Sequence, residues 1–181
     1  MPRLPALEFE KLAPEEQRIW QEIGATRNGS PGGPFLVWMH HPKIAERAHH
    51  FGHALRIDGK LPRNLFELAS LVVARDWSAQ YVFTTHARYA REQGISDDVI
   101  DAIRTHRTPA FAKEDERLVY DVTRELLETK RITDETYERA LAALGLQNLI
   151  ELVSTIGFYM TASALVNAFD VPPRQEGKRL I

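Results

Sequence analysis

The amino-acid sequence predicts an all-α protein, and three observations support this fold class. First, apolar residues recur at helical spacing, most clearly over residues 112–129. Second, proline, acidic and hydroxyl residues stand where helices would begin, and glycine stands where they would end. Third, no segment that alternates strictly between polar and apolar residues is flanked by a hairpin turn, so no strand is predicted.

Each helix is placed by these boundary signals. Pro14 and the two acids after it begin the first helix, and Gly24 ends it. Residues 28–34 form a loop, since this is the only stretch dense in turn formers. Prolines begin the second and third helices, a capping aspartate or serine begins the fourth, and Gly94 ends it. The eight helices are predicted at residues 14–24, 42–56, 62–75, from 76 or 78 to 93, from 96, 112–129, from 133, and 147–169.

Two of the predicted helices, at residues 62–75 and 147–169, are apolar on nearly every side. A helix of this kind must be buried all round. In a protein of this size, such burial indicates a central position or contact with a second subunit. We therefore expect a homo-oligomer, most simply one with closed symmetry.

Length, charge and composition restrict the possible functions. A chain of 181 residues is long enough for one well-buried domain and short for two, so residues 1–181 are taken as a single domain. The net charge of −2 gives no reason to expect nucleic acid or an anionic membrane as a partner. Residues 1–5 lack the apolar core of a signal peptide, and no apolar run approaches the roughly 20 residues that span a bilayer. A cytoplasmic location is expected. The chain has no cysteine, which excludes disulfides and thiol chemistry.

Glu67 is the first candidate for chemistry, because it lies among leucines and valines in the third helix. A buried carboxylate must find a partner or raise its pKa. One such partner is Arg63, one helical turn earlier, which would make Glu67 part of an ordinary surface pair. The alternative is a functional carboxylate inside the fold.

His86 is the second candidate, in the middle of the fourth helix. Its neighbours on the same stripe of the helix include Val82, Phe83 and Tyr89, so the imidazole is the polar group of an otherwise apolar face. A histidine in this position is either a core residue with a hydrogen-bond partner or an acid–base catalyst.

Other motifs give weaker signals. His49 and His53 are four residues apart and could share a metal ion, but no acidic third ligand stands at helical spacing with them, so no metal site is predicted. The glycines of residues 29–33 precede Pro34 and not a Gly-Lys-Ser/Thr sequence, which argues against a phosphate loop. A Gly-x-Ser-x-Gly motif is absent, which argues against a serine hydrolase.

Residues 61–103 resemble the carboxymuconolactone decarboxylase family, within the alkyl-hydroperoxidase-D-like superfamily. The most specific part of the resemblance is Ala-Arg-Asp-Trp-Ser-Ala-Gln-Tyr at residues 74–81, followed by His86. Residues 33–56 are similar to the N-terminal helix pair of that family, and residues 151–172 to its last helix. The resemblance implies an alkyl-hydroperoxidase-D-like helical bundle and a trimer or hexamer.

The peroxidase branch of this superfamily carries a glutamate, a Cys-x-x-Cys pair and a histidine. On this chain, the glutamate falls on Glu67 and the histidine on His86, while the two cysteine positions fall on Ala79 and Val82. The residue before the second cysteine, also implicated in proton relay, falls on Tyr81. Reduction of a peroxide needs a thiolate and a resolving thiol, so peroxidase activity is not expected.

The decarboxylase branch of the family implies a different function, namely loss of CO2 from a carboxylated lactone without metal or organic cofactor. By this resemblance His86 is the acid–base group, Glu67 its orienting partner or proton relay, and Tyr81 a hydrogen-bond donor to the substrate. Arg75 is a candidate for attracting the substrate carboxylate, or else a surface arginine. Many related sequences have Gln-Tyr-Glu-Trp where this chain has Gln-Tyr-Val-Phe at residues 80–83. Two alternatives therefore stay open: a non-catalytic binding or assembly protein, and another acid–base reaction such as isomerisation or lactone hydrolysis.

Overall fold

The computed structural model describes residues 3–27, 29–173 and 179–180, and all regular structure in these ranges is helical. The all-α prediction is therefore confirmed. Of the loop predicted at residues 28–34, only Asn28 lies outside the described residues. The helices are α1 (Pro14–Ala25), α2 (Pro34–Trp38), α3 (Pro42–His53), α4 (Arg63–Asp76), α5 (Gln80–Glu92), α6 (Asp97–Arg104), α7 (Glu114–Thr129) and α8 (Asp134–Ala168). A 3-10 turn precedes α1 at Phe9–Lys11, and α3 continues as a π-helical turn over Ala54–Asp58.

Helix α4 lies at the centre of the bundle and contacts α5, α7 and α8. Every residue from Leu65 to Arg75 is buried, as an all-round apolar helix requires. This burial is complete within one chain, so it does not depend on a second subunit. The central position places the side chain of Glu67 inside the protein, away from its surface.

The boundary signals did not predict α2. It is only five residues long, which is too short to show helical periodicity, and it begins directly after Gly33. Gly33 has φ 57° and ψ −127°, a conformation that side-chain-bearing residues rarely adopt. The family resemblance, in contrast, placed a pair of helices in this region.

The last two predicted helices correspond to a single helix in the structure, α8, which has a kink between them. Gly145 has φ 76° and ψ 161°, which is not helical, so the axis bends there. By length and composition alone, α8 is apolar enough to cross a membrane. A core helix satisfies the same criterion, and α8 packs against α2, α4, α5 and α7.

Candidate active site

Glu67 on α4 and His86 on α5 lie in direct contact. The distance between Glu67 Oε2 and His86 Nδ1 is 2.5 Å, and the glutamate is fully buried. Adjacent packing of α4 and α5 brings together two residues that are 19 positions apart in the chain. The histidine is 6% exposed, so this is a hydrogen bond shielded from bulk water.

Arg63 contacts the other oxygen of the same carboxylate. Its Nη2 lies 2.6 Å from Glu67 Oε1, one helical turn away on α4. The two partners that the sequence offered as alternatives are therefore present together, one on each oxygen. Burial by itself raises the pKa of Glu67, but the charges of His86, Arg63 and Arg56 outweigh it and hold the pKa below its usual value.

The ionised carboxylate determines which ring nitrogen of His86 is available. A carboxylate only accepts hydrogen bonds, so Nδ1 of His86 carries a proton and donates it. Among the described residues Nε2 has no hydrogen-bond partner, which leaves this nitrogen for a bound molecule. The ring of Tyr159 meets the imidazole edge-to-face, with the centroids 4.6 Å apart. Contacts on both sides therefore fix the orientation of the imidazole.

His86 opens onto a cavity of about 230 Å³ bounded by α2, α3, α5 and α8, which we call the His86 cavity. Aromatic rings form much of its wall, and three arginines lie among them. The lining residues used below are Arg27, Phe35, Arg56, Tyr81, Val82, His86, Arg88, Tyr89, Phe158 and Tyr159. A cavity of this kind can hold a small molecule. Most small-molecule pockets are lined mainly by apolar side chains, whereas this one also has three arginines and a histidine in its wall.

Tyr81, predicted as a hydrogen-bond donor to the substrate, lies in this cavity. Its ring packs on the backbone of Gly33, so closely that a Cβ atom at Gly33 would overlap it. Val82, at the position of the second peroxidase cysteine, also lines the cavity. The structure thus gathers Glu67, Tyr81 and His86 at one site.

Arg75 does not lie at this cavity, which corrects its prediction as the ligand of the substrate carboxylate there. It is buried at a separate cleft of about 290 Å³, the Arg75 cleft, where its Nη1 lies 3.4 Å from Ser78 Oγ. The physical reason is helical geometry. Arg75 lies two turns beyond Glu67 near the end of α4, where the helix faces α6 and α7. His106, Arg107 and Arg124 line the same cleft.

The histidines that were weighed as metal ligands have other partners. His49 Nδ1 lies 2.9 Å from Arg27 Nη1, and His53 Nδ1 lies 3.2 Å from Asp58 Oδ2. In the described ranges no group of three or more histidine, cysteine, aspartate or glutamate side chains is arranged to hold a metal ion.

Sequence reasoning missed several residues of the site. Arg27 follows the end of α1 and Arg56 lies in the π-helical turn, so neither belonged to a motif. Tyr159 carried a faint signal, as a phenol within the most apolar helix. Burial raises the pKa of Tyr159 further above its usual value, and the charge of Glu67 adds to this effect. The tyrosine therefore keeps its proton beside His86.

The fold places the chain in one structural class, the alkyl-hydroperoxidase-D-like helical bundles. The model of the carboxymuconolactone decarboxylase family matches residues 42–125, which include α3 to α6 and both members of the pair. This match, together with the absence of cysteine, confirms the resemblance seen in the sequence.

Two solved structures share this fold across nearly the whole chain. One is an alkylhydroperoxidase AhpD core, an uncharacterized peroxidase-related protein from Ralstonia eutropha, with TM-score 0.78 and 16% identity over 96% of this chain and 93% of that one. The other is an uncharacterized peroxidase-related protein from a Silicibacter species, with TM-score 0.76 and 14% identity over 96% and 92% of the two chains. Among curated proteins no match is found. At these identities the two structures establish the fold alone.

Proposed function

We propose that this protein is a cofactor-free acid–base lyase that removes CO2 from a carboxylated lactone or a similar small organic acid. The observation that carries the proposal is the buried Glu67–His86 pair, in which Nε2 of the imidazole is available at the His86 cavity. The match to the carboxymuconolactone decarboxylase family supports the reaction class.

The proposed chemistry needs few groups. When the bond from the reacting carbon to the carboxylate breaks, CO2 leaves and its electron pair moves into the lactone carbonyl as an enolate. The protonated His86 then delivers the Nε2 proton to carbon, and solvent returns a proton to the ring. Proton transfer of this kind contributes roughly 10²–10⁴-fold to a rate. Glu67 stabilises the imidazolium and fixes its orientation, while Tyr81 donates a hydrogen bond to the substrate.

Cysteine chemistry has no place in this proposal. The chain has no thiol, so it has neither the attacking nor the resolving group of a peroxidase. The cavity keeps the acid–base part of the site, with Val82 at one of the cysteine positions.

The experiment is a CO2-release assay on γ-carboxymuconolactone with the wild type, His86→Ala and, as a control, Arg91→Gln. Arg91 is on the same helix but forms a surface pair with Asp97, 2.5 Å away. We expect release by the wild type and the control and a loss of roughly 10²–10⁴-fold in His86→Ala. Binding without release, unaffected by His86→Ala, would indicate a non-catalytic protein. A product that retains the carboxylate would indicate isomerisation or hydrolysis.

We also propose that the chain forms a homo-oligomer. Three apolar residues on one stripe of α8 are exposed: Leu146 and Ile150 at 57% each and Val153 at 40%. Phe51, which packs on Phe158 of the same helix, is 47% exposed. An apolar surface of this kind is typical of a subunit interface. A mass in solution of 20.7 kDa, that of one chain, would contradict the proposal.

A further inference from the structure

Two arginines of the His86 cavity have no acidic partner. Arg27 and Arg56 are half-buried, and within the described part of the chain no aspartate or glutamate oxygen lies within 4.0 Å of either guanidinium. Removing a charge from water without a partner is costly. Two such cations in one cavity indicate that a bound anion completes the site.

The two guanidiniums also act on each other. Burial lowers the pKa of Arg27 to about 10, well below the usual value for arginine, and the charge of Arg56 adds to this effect. Aromatic rings hold both groups in place, because Arg27 Cζ lies 3.9 Å from the centre of the Phe35 ring and Arg56 Cζ lies 4.8 Å from that of Tyr89. At Arg56 burial also opposes the charge, but Tyr159, Tyr89 and the charge of Glu67 outweigh burial and raise the pKa of Arg56, so this guanidinium keeps its charge in the cavity.

The hydrogen bonds of Arg27 leave one edge of its guanidinium available. Its Nη1 donates to His49 Nδ1 at 2.9 Å, to Thr26 Oγ1 at 2.7 Å and to Ile23 O at 3.2 Å. Among the described residues, its Nε and Nη2 make no hydrogen bond. These two atoms form an edge that matches the two oxygens of a carboxylate.

His49 determines where this edge points. An arginine only donates hydrogen bonds, so His49 Nδ1 must be the acceptor, and the imidazole is neutral with its proton on Nε2. His49 is 3% exposed and packs edge-to-face on Phe35, with the centroids 6.2 Å apart. A buried, neutral histidine behind the guanidinium therefore orients it without adding charge.

The cation pair does not suit the carboxylate that leaves as CO2. A salt bridge to that group is strongest before the reaction and vanishes as the charge moves into the carbonyl, so it would stabilise the ground state more than the transition state. The pair suits an anionic group that remains on the product, since binding energy from such a group holds the reacting end at His86.

We propose that Arg27 and Arg56 form a subsite for a second carboxylate of the substrate, one that stays on the product, and that His49 is a positioning residue for Arg27. This rests on the proposed function for the reacting end of the cavity. The subsite itself is a binding site and is testable without turnover.

The test compares glutarate, a diacid, with its dimethyl ester, which has the same carbon chain and no carboxylate. Binding is measured by titration calorimetry with the wild type, Arg27→Gln, Arg56→Gln and the surface control Arg91→Gln. We expect the wild type and the control to prefer glutarate, and each cavity variant to lose roughly tenfold in glutarate affinity and most of the preference. Equal affinity for the two probes in the wild type, no binding of glutarate, or unchanged preference in both cavity variants would overturn the subsite.

The role of His49 has its own pair of variants. His49→Asn retains an acceptor near the position of Nδ1, whereas His49→Leu removes it. We expect His49→Leu to lose the preference for glutarate and His49→Asn to keep most of it. If both variants keep the preference, or both lose it equally, then His49 does not position Arg27.

The subsite and the proposed function can fail separately. Release of CO2 that depends on His86, together with unchanged probe binding in both Arg27→Gln and Arg56→Gln, would contradict the subsite alone. Loss of probe binding in Arg27→Gln, with no CO2 release by the wild type, would contradict the lyase alone.

Discussion

Two concave regions of the molecule are lined by several arginines, and they differ in the acids that stand beside them. In the Arg75 cleft, Arg107 lies 3.2 Å from Asp101, and Arg124 lies 3.7 Å from Asp76 and contacts Glu128. In the His86 cavity, Arg88 lies 4.0 Å from Glu92, but within the described residues no carboxylate oxygen lies within 4.0 Å of Arg27 or Arg56.

The two regions have the same number of lining arginines and differ in charge balance. In the cleft, cations and acids offset one another, as on an ordinary protein surface. In the cavity, the balance is incomplete within the described chain, and the two unpaired cations line the same space as His86. Four predictions follow from this contrast, beginning with the largest effect.

Glu67→Gln breaks the buried pair while keeping the size of the side chain. We expect the free energy of unfolding to fall by about 3–5 kcal/mol, because the partners of the carboxylate stay buried without it. We expect CO2 release to fall by roughly 10²-fold or more at temperatures where the variant is folded. Denaturant unfolding and the CO2 assay measure the two effects.

The matched control for Glu67→Gln is Glu116→Gln, another buried glutamate, which lies in α7 and pairs with Lys113 at 2.9 Å. It should leave CO2 release unchanged. Equal loss of activity in both variants would show that activity follows overall stability and not the acid–base pair.

Gly33→Ala deforms the wall of the His86 cavity. Alanine at φ 57° costs about 1–3 kcal/mol in strain, and its Cβ would also displace the Tyr81 ring. The control is Gly29→Ala, since Gly29 also has positive φ, 91°, but has no atom within 4 Å of an added Cβ. Thermal unfolding and glutarate binding should both be affected more by Gly33→Ala; equal effects would mean that the contact with Tyr81 is unimportant.

Arginine removal should have opposite effects on stability in the two regions. In the cavity, we expect removal of the buried, repelled charge in Arg27→Met to outweigh the loss of its hydrogen bonds to His49 and Ile23, so the free energy of unfolding should stay constant or rise. In the cleft, Arg124→Met removes contacts with two acids and should lower it by up to about 1 kcal/mol. If Arg27→Met is the more destabilising of the two, the cavity is not a region of unbalanced charge.

Much of the fold was predictable from the sequence, and the site only in part. Long amphipathic helices and their caps follow from local signals, as at Ser96, whose hydroxyl accepts from the backbone N–H of Val99. The π-helical turn that carries Arg56 depends on packing and leaves no such signal. His86 and Glu67 stood out because polar groups on apolar helices need partners. The cavity arginines did not, because nothing local distinguishes them from Arg75, for which the sequence left open a role in substrate binding or a place on the surface.

The smallest effect concerns the pH dependence of stability. Burial, and then the charge of Arg27, lowers the pKa of His49, with smaller effects of the same sign from His50 and His53 and an opposing one from Glu22. The pKa of His49 is lower in the folded than in the unfolded chain, so as the pH falls the unfolded chain is the first to protonate this imidazole. The contribution of neutral His49 to the free energy of unfolding is therefore complete above the unfolded pKa of about 6.5, and it is lost as the pH falls below that value. His49→Asn should therefore lose less stability than the wild type between about pH 6.5 and 5. Parallel slopes in urea unfolding would contradict this assignment.

The central claim is that Glu67 holds His86 with Nδ1 protonated and Nε2 turned to the cavity. The most direct measurement is nitrogen NMR of imidazole-labelled protein, with His86 assigned by His86→Gln. The account predicts a protonated Nδ1 with a strongly downfield proton, which Glu67→Gln shifts upfield while the His49 signals remain. A His86 ring protonated at Nε2 only, or a spectrum indifferent to Glu67→Gln, would contradict it.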